Sequence, residues 1–364
     1  MMREEYMEKL VQCIRQAGLD GMLICPGEEM RFLTGFSPMF CERFQGLFVK
    51  ADGTAFYVCN LLYGEEMREQ LPPEVPVYTW FDGDVMPERV KEALKEQGLL
   101  GGRIGVNRDA VAFQLLEIKE RADIIFCDGK PLMEEMRIRK SGEELENLRR
   151  SAAIVDQVFL KVLDRICPGV TEASLQEFLL EEMSRLGGES PECIVGIGAN
   201  SSYPHYCGSS GRAKQQDVVL MDYGCTCGGM YSDISRTVFV GEPTKQQREA
   251  YELVKRANLE AESLVKEGAW IPDIDRIARE VLDEKSYAWT MINRLGHGIG
   301  YTIHEAPDIK QSHHRNLERG MAFSIEPGIY LGGEFGIRIE DVVIVNEAGE
   351  REVLNQASKE LIIL

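Results

Sequence analysis

Between residues 218 and 241 the chain reads VVLMDYG, then CTCGG, then MYSDISRTVFVG, so that apolar and polar residues alternate on either side of a cluster of turn formers. Alternation with a period of two marks half-buried strands, and two such runs joined by a short turn predict a β-hairpin. That hairpin places Asp222 and Asp233 on strands that pair. Both acids stand among apolar neighbours, where an unpaired carboxylate is costly to desolvate and two close together repel. A bound cation removes both penalties. The structural alternative is that one Asp caps the turn while the other pairs with Arg236. Cys225 and Cys227, read as part of the turn, have no second Cys or His pair nearby and are small thiols rather than soft-metal ligands.

The last third of the chain repeats the theme. In RLGHGIGYTIHEAP, glycines at 296, 298 and 300 surround His297, allowing tight backbone approach and an accessible imidazole. His304-Glu305 lacks the second histidine that a zincin helix needs four residues on, because position 308 is Asp. FSIEPGIY puts Glu326 in an alternating strand, and GIRIEDVVIV puts Glu340 on the next, with LGGEFG between them as a second hairpin. Four carboxylates and one imidazole suit Mn²⁺, Co²⁺, Fe²⁺ or Zn²⁺ and are too many for one catalytic zinc, so two ions sharing carboxylates are expected. Taken alone, His205 in SSYPHY reads as a surface or hydrogen-bonded residue, and His313 and His314 as surface loop.

Around these segments, 364 residues suffice for two domains. Residues 4–17 have the apolar spacing of an amphipathic helix, and short strands are expected at 20–25, 46–50, 54–59 and 75–80. Helical spacing returns at 85–98, followed by strands at RIGVN and DIIFC with a helical stretch between them. This is a smaller α/β domain over residues 1–135, with the second domain over 136–364. Ser141 and Glu144 form a capping box, so a long helix begins near 142, and the basic run RIRK before it reads as a solvated connection. Further helices are expected at 174–187, with Thr171 or Ser174 as cap, and at 245–267 and 272–284. A net charge of -19 argues against nucleic acid as a partner. The acidic amino terminus is unlike a signal peptide, there is no apolar run of about 18 residues to span a membrane, and the ten scattered cysteines read as reduced thiols, so the expected location is cytoplasmic.

Asp222, Asp233, His297, Glu326 and Glu340 occur in the order and local motifs of the metal-dependent pita-bread peptidases, which include prolidases, Xaa-Pro aminopeptidases and methionine aminopeptidases. The resemblance spans the chain: residues from about 140 to 364 resemble the catalytic domain, and residues 1–133, with MRFLTGF, resemble the creatinase-type amino-terminal domain. It implies a pita-bread fold of α/β (α+β) class, an antiparallel sheet covered by helices behind a smaller α/β domain. By the same resemblance Asp222 binds one metal, His297 and Glu326 bind the other, and Asp233 and Glu340 bridge the pair around a water or hydroxide. Two divalent ions are implied, with Mn²⁺ placed before Co²⁺, Zn²⁺ and Fe²⁺. Glu326 is the implied proton acceptor, His205 and His304 hold substrate and stabilise the tetrahedral intermediate, and Arg338 orients the ligand carboxylates. Met230, Ser235, Gln216 and Tyr301 depart from common residues of the family, and Met230 and Tyr301 are expected to reshape the substrate pocket.

The implied activity is removal of the amino-terminal residue from Xaa-Pro peptides, as an aminopeptidase or a dipeptidase, by a homodimer acting on short proline-containing peptides. A creatinase-like C–N hydrolase works without metal and lacks the complete ligand set. A catalytically silent peptide-binding protein of the same fold would have lost ligands, and a redox or metal sensor would depend on Cys225 and Cys227.

Overall fold

The computed structural model describes residues 3–364, which divide into two compact units between Met136 and Arg137. In the first unit a six-stranded sheet runs in the order Val77–Trp80, Ala55–Asn60, Gly46–Lys50, Gly21–Ile24, Arg103–Val106, Ile125–Asp128. The two pairings around Gly46–Lys50 are antiparallel and the other three are parallel. Helices Glu4–Gln16, Met86–Glu96 and Ala112–Arg121 answer to the expected helical stretches. Helix Leu61–Gln70 was not expected: it buries only Gly64 and Met67, so it has no apolar stripe for the sequence to display.

The second unit is built from antiparallel strands covered by helices in two similar halves. In the first half, strands Ile234–Val240, Asp217–Cys227 and Glu189–Ile197 lie side by side. Val219, Met221, Tyr223 and Cys225 pack on Val155, Phe159, Leu175 and Leu179 of helices Gly142–Val162 and Glu172–Arg185. Alternation therefore turns Asp222 away from these helices. In the second half, strands Glu305–Ile309, Gly296–Gly298, Ala322–Ile325, Asp341–Val345 and Arg351–Val353 form a sheet. Its residues Phe323, Ile325, Val343 and Val345 pack on Val254, Ala257, Ile274 and Ala278 of helices Lys245–Ser263 and Ile271–Asp283. The halves are joined by an isolated bridge between Ser235 and Glu340 and by Arg236, which donates to Asp341 Oδ1 at 2.7 Å and to the Glu340 carbonyl at 2.7 Å. Arg236 therefore pairs with Asp341 and with neither candidate ligand on its own hairpin.

The capping box at Ser141 forms as expected, and Thr171 caps the next helix. The reading of RIRK as a solvated connection does not hold: Arg137 and Lys140 are buried, and the Lys140 ammonium lies 2.7 Å from Glu305 Oε1. A buried lysine has to be neutralised, and its acid is supplied from far along the chain, where no local pattern reveals it. Cys225 and Cys227 are likewise buried strand residues of the core and not part of the turn, which is Gly228-Gly229, with φ of +55° and +79°. Among the described residues no helix is long and apolar enough to cross a membrane.

Candidate metal centre

The first hairpin forms with Asp222 on its first strand, but Asp233 lies between strands and not on one as expected. Asp222 faces Ser235 across the ladder, and Asp233 falls in the gap between Met230–Tyr231 and Ile234–Val240. The ladder opens there because the Cys225 amide bonds the Ser232 hydroxyl at 3.2 Å. Gly224 is required at this point, since a Cβ would sit 2.2 Å from the Ser232 carbonyl oxygen.

The second hairpin is broken in the middle. Ala322–Ile325 pairs with Asp341–Val345, Gly328–Leu331 pairs with Phe335–Arg338, and the two ladders belong to different sheets. Glu326 and Glu340 therefore stand at the breaks and not within strands as the alternation suggested. A strand break frees a residue from the pleat, which lets three acids and a histidine aim at one point. His297 reaches that point on strand Gly296–Gly298, whose flanking glycines admit the Ser324 and Ala306 backbones at distances that no Cβ tolerates. The tight approach is as expected. The imidazole is not accessible, however, because His297 is only 3% exposed.

From His297 Nε2 the distances are 3.4 Å to Glu326 Oε1, 3.6 Å to Asp233 Oδ2 and 4.0 Å to Glu340 Oε1. Asp233, His297 and Glu340 offer ligand atoms that all lie within 4.8 Å of one another. Asp233 Oδ1 and Glu340 Oε1 are buried with no hydrogen-bond partner. Burial pushes Asp233 and Glu340 well above the usual carboxylate range, with the neighbouring acids adding to it. Glu326 is pushed up to about 7, chiefly by burial, against the opposing pull of Arg338. His297 is driven well below its ordinary value by burial and then by His304, so it presents a neutral nitrogen. Buried acids with orphaned oxygens around a neutral imidazole are arranged for a cation, and this donor set of carboxylates plus one histidine fits divalent metal ions.

Asp222 Oδ2 accepts from Arg338 Nη2 at 2.5 Å, and Arg338 also donates to the Ser235 hydroxyl and the Tyr330 hydroxyl, each at 2.7 Å. Ser235 in turn donates to Glu340 Oε2 at 2.6 Å, so one guanidinium and one hydroxyl tie Asp222 to Glu340. A cavity of about 660 Å³ opens in front of the cluster, lined by all five candidate ligands and by His205, His304 and Arg338. The His304 ring stands edge-on to His297, 4.3 Å between centroids at 87°. Sequence reasoning missed Glu192, Ile194, Asn293 and Arg294 on the cavity wall. Ile194 faces Asp222 in strand register, and that pairing was the one available signal. Met230 and Tyr301 do not line the cavity, contrary to expectation: both pack in the apolar cluster of Leu145, Leu148 and Ile299. Gln216 holds φ +71°, a backbone position at which glycine is unstrained.

The sequence profile of Metallopeptidase family M24 matches residues 146–347, and that of the Creatinase/Prolidase N-terminal domain matches residues 7–139. The chain belongs to metallopeptidase family M24. Within the family it is 31% identical over 363 residues to a Xaa-Pro dipeptidase of Pyrococcus furiosus, covering 99% of this chain and 100% of that one. It is 33% identical over 355 residues to a probable dipeptidase, PepE, of Mycobacterium tuberculosis, covering 96% and 93%. The crystal structure of a recombinant prolidase from Thermococcus sibiricus superposes with a TM-score of 0.92 at 31% identity over 100% of both chains. The pita-bread fold and the metal-dependent exopeptidase class expected from the sequence are thus those of this M24 member, and membership implies divalent metal ions.

Proposed function

We propose that the chain is a dinuclear Xaa-Pro peptidase that releases the residue preceding proline from short peptides. The observation that carries this reading is the pair of orphaned, buried oxygens of Asp233 and Glu340 beside the neutral nitrogen of His297. In this reading Asp222, Asp233, His297, Glu326 and Glu340 would hold two divalent ions. Bound there, two divalent ions, Mn²⁺ first among the candidates, supply a Lewis acid for the scissile carbonyl and acidify a water into a nucleophile. Glu326, on the cavity wall, would take the proton of the attacking water and return it to the leaving proline nitrogen. His205 and His304 line the cavity, where they would hold the substrate backbone and donate to the oxyanion as it develops. Arg338 fixes the rotamers of Asp222 and, through Ser235, of Glu340.

The reading extends to a homodimer, which is supported by the exposed Phe40, Leu62 and Phe81 of the first unit. It also extends to the reducing cytoplasm, supported by ten free thiols. The test is cleavage of Ala-Pro, Ala-Pro-Ala and Met-Ala-Ser, followed by mass spectrometry after loading with Mn²⁺, Co²⁺ or Zn²⁺. Release of alanine from a proline peptide, abolished by chelation, is expected; cleavage of Met-Ala-Ser alone overturns the reading.

A further inference from the structure

His304 reaches the cavity from the loop that joins strand Gly296–Gly298 to strand Glu305–Ile309. Its ring meets His297 edge-on and has no hydrogen-bond partner among the described residues. The place of the imidazole is therefore set by the backbone that carries it. Thr302 closes that backbone: its hydroxyl donates to the His304 carbonyl at 3.0 Å and lies 3.3 Å from Glu305 Oε2. The Thr302 amide donates to the same carboxylate oxygen at 3.2 Å.

Glu305 is held in turn by cations from the start of the second unit. Lys140 Nζ lies 2.7 Å from Oε1 and Arg137 Nη1 lies 3.9 Å from Oε2, and all three side chains are only 2% exposed. Lys140 is itself fixed, because its amide donates to the Gly320 carbonyl at 2.8 Å. Gly300 leaves room for the pair: a Cβ there would stand 2.5 Å from Glu305 Oε1 and 2.7 Å from Lys140 Cε. A buried ion pair is poor evidence of stability, since apolar side chains of the same volume often do as well or better. What the charges add is direction. A carboxylate with one oxygen on the ammonium turns its other oxygen to Thr302.

We infer that Glu305, anchored on Lys140 and acting through Thr302, is a positioning residue for His304, an inference that rests on the peptidase reading above. Lys140, Thr302 and Glu305 do not line the cavity, so they act on the substrate only through the imidazole they place.

The test compares Thr302→Val, which removes the hydroxyl at nearly constant volume, with Thr302→Ser, which keeps it. In the metal-loaded protein, Thr302→Val should lower kcat on Ala-Pro by about 10-fold, the scale of one lost hydrogen bond. KM and metal content should be unchanged, and Thr302→Ser should restore most of the loss. Lys140→Met, which leaves Glu305 only Arg137 as counterion, should lower kcat in the same way. In a His304→Ala background, Thr302→Val should have no further effect, whereas a merely structural residue would add its own loss. An additive loss, an unchanged kcat or a change confined to KM overturns the inference. The ring signal of His304 in histidine-labelled, chelated protein gives a readout without turnover, identified by its absence from His304→Ala. Thr302→Val should shift or broaden that signal and leave those of His205, His313 and His314 in place; an unmoved His304 signal overturns the inference. Failure of every proline peptide to be cleaved refutes the proposed function, while the ring signal still judges the placement of His304.

Discussion

The metal-free protein should lose stability as the pH rises from about 4.5 to about 7, and Glu326→Gln should remove much of that loss. Burial holds the Glu326 carboxyl at about 7 against an ordinary 4.5, with Asp222 adding to it and Arg338 and Arg294 opposing it. An acid whose pKa rises on folding binds its proton more tightly folded than unfolded, so its stabilising effect is complete below the unfolded value and disappears as the pH passes the folded one. A rise from 4.5 to about 7, at about 1.4 kcal/mol per unit, amounts to about 3 kcal/mol. The amide that replaces the Glu326 carboxyl in the variant is neutral throughout and accepts the same Ser324 hydroxyl bond, which is 3.3 Å long in the wild type. The assay is urea unfolding of chelated wild type and variant at about pH 4.5 and about pH 8. The pH-dependent loss should be smaller in the variant by about 3 kcal/mol or more, since groups remote from Glu326 cancel in the double difference while Asp233 and Glu340, which the Glu326 charge helps to raise, lose part of their own shifts. Equal losses in the two proteins would refute the reasoning. Mn²⁺ added at the higher pH should raise the stability of the wild type, since it binds only the folded state.

Glu340→Ala should abolish metal-stimulated cleavage and lower the metal content measured after gel filtration; full activity surviving chelation would sink the metal mechanism. His304→Ala should leave the metal content nearly intact while lowering kcat by about 10²-fold or more, the scale of one lost transition-state donor. Loss of metal instead would make His304 a ligand. Arg236→Met leaves the fully buried Asp341 with Lys359 alone, 2.8 Å from Oδ2, and Oδ1 without its donor, and should cost about 1–3 kcal/mol in urea unfolding. A loss under about 1 kcal/mol would mean that the link between the two halves is dispensable.

The candidate ligands were legible because their signals are local. Period-two alternation around Asp222, Glu326 and Glu340 and the Gly-Gly turn after Cys227 are written within a dozen residues each, and an acid in an apolar run is costly wherever the chain then goes. The sequence alone determined which acids stand in apolar runs, where the long helix after Ser141 begins, and which glycines must admit the backbone beside His297. Tertiary structure decided the rest. Glu326 and Glu340 stand where one ladder ends and the next begins, and Glu340 bridges Ser235, far away in sequence, across the two halves. The burial of His297 and the pairing of Lys140 with Glu305 are likewise fixed by residues remote in the chain. Arg294 lies in no periodic pattern, and its place on the cavity wall comes entirely from the fold. A side chain's neighbours along the chain set its cost of burial; its neighbours across the fold set what that cost is used for.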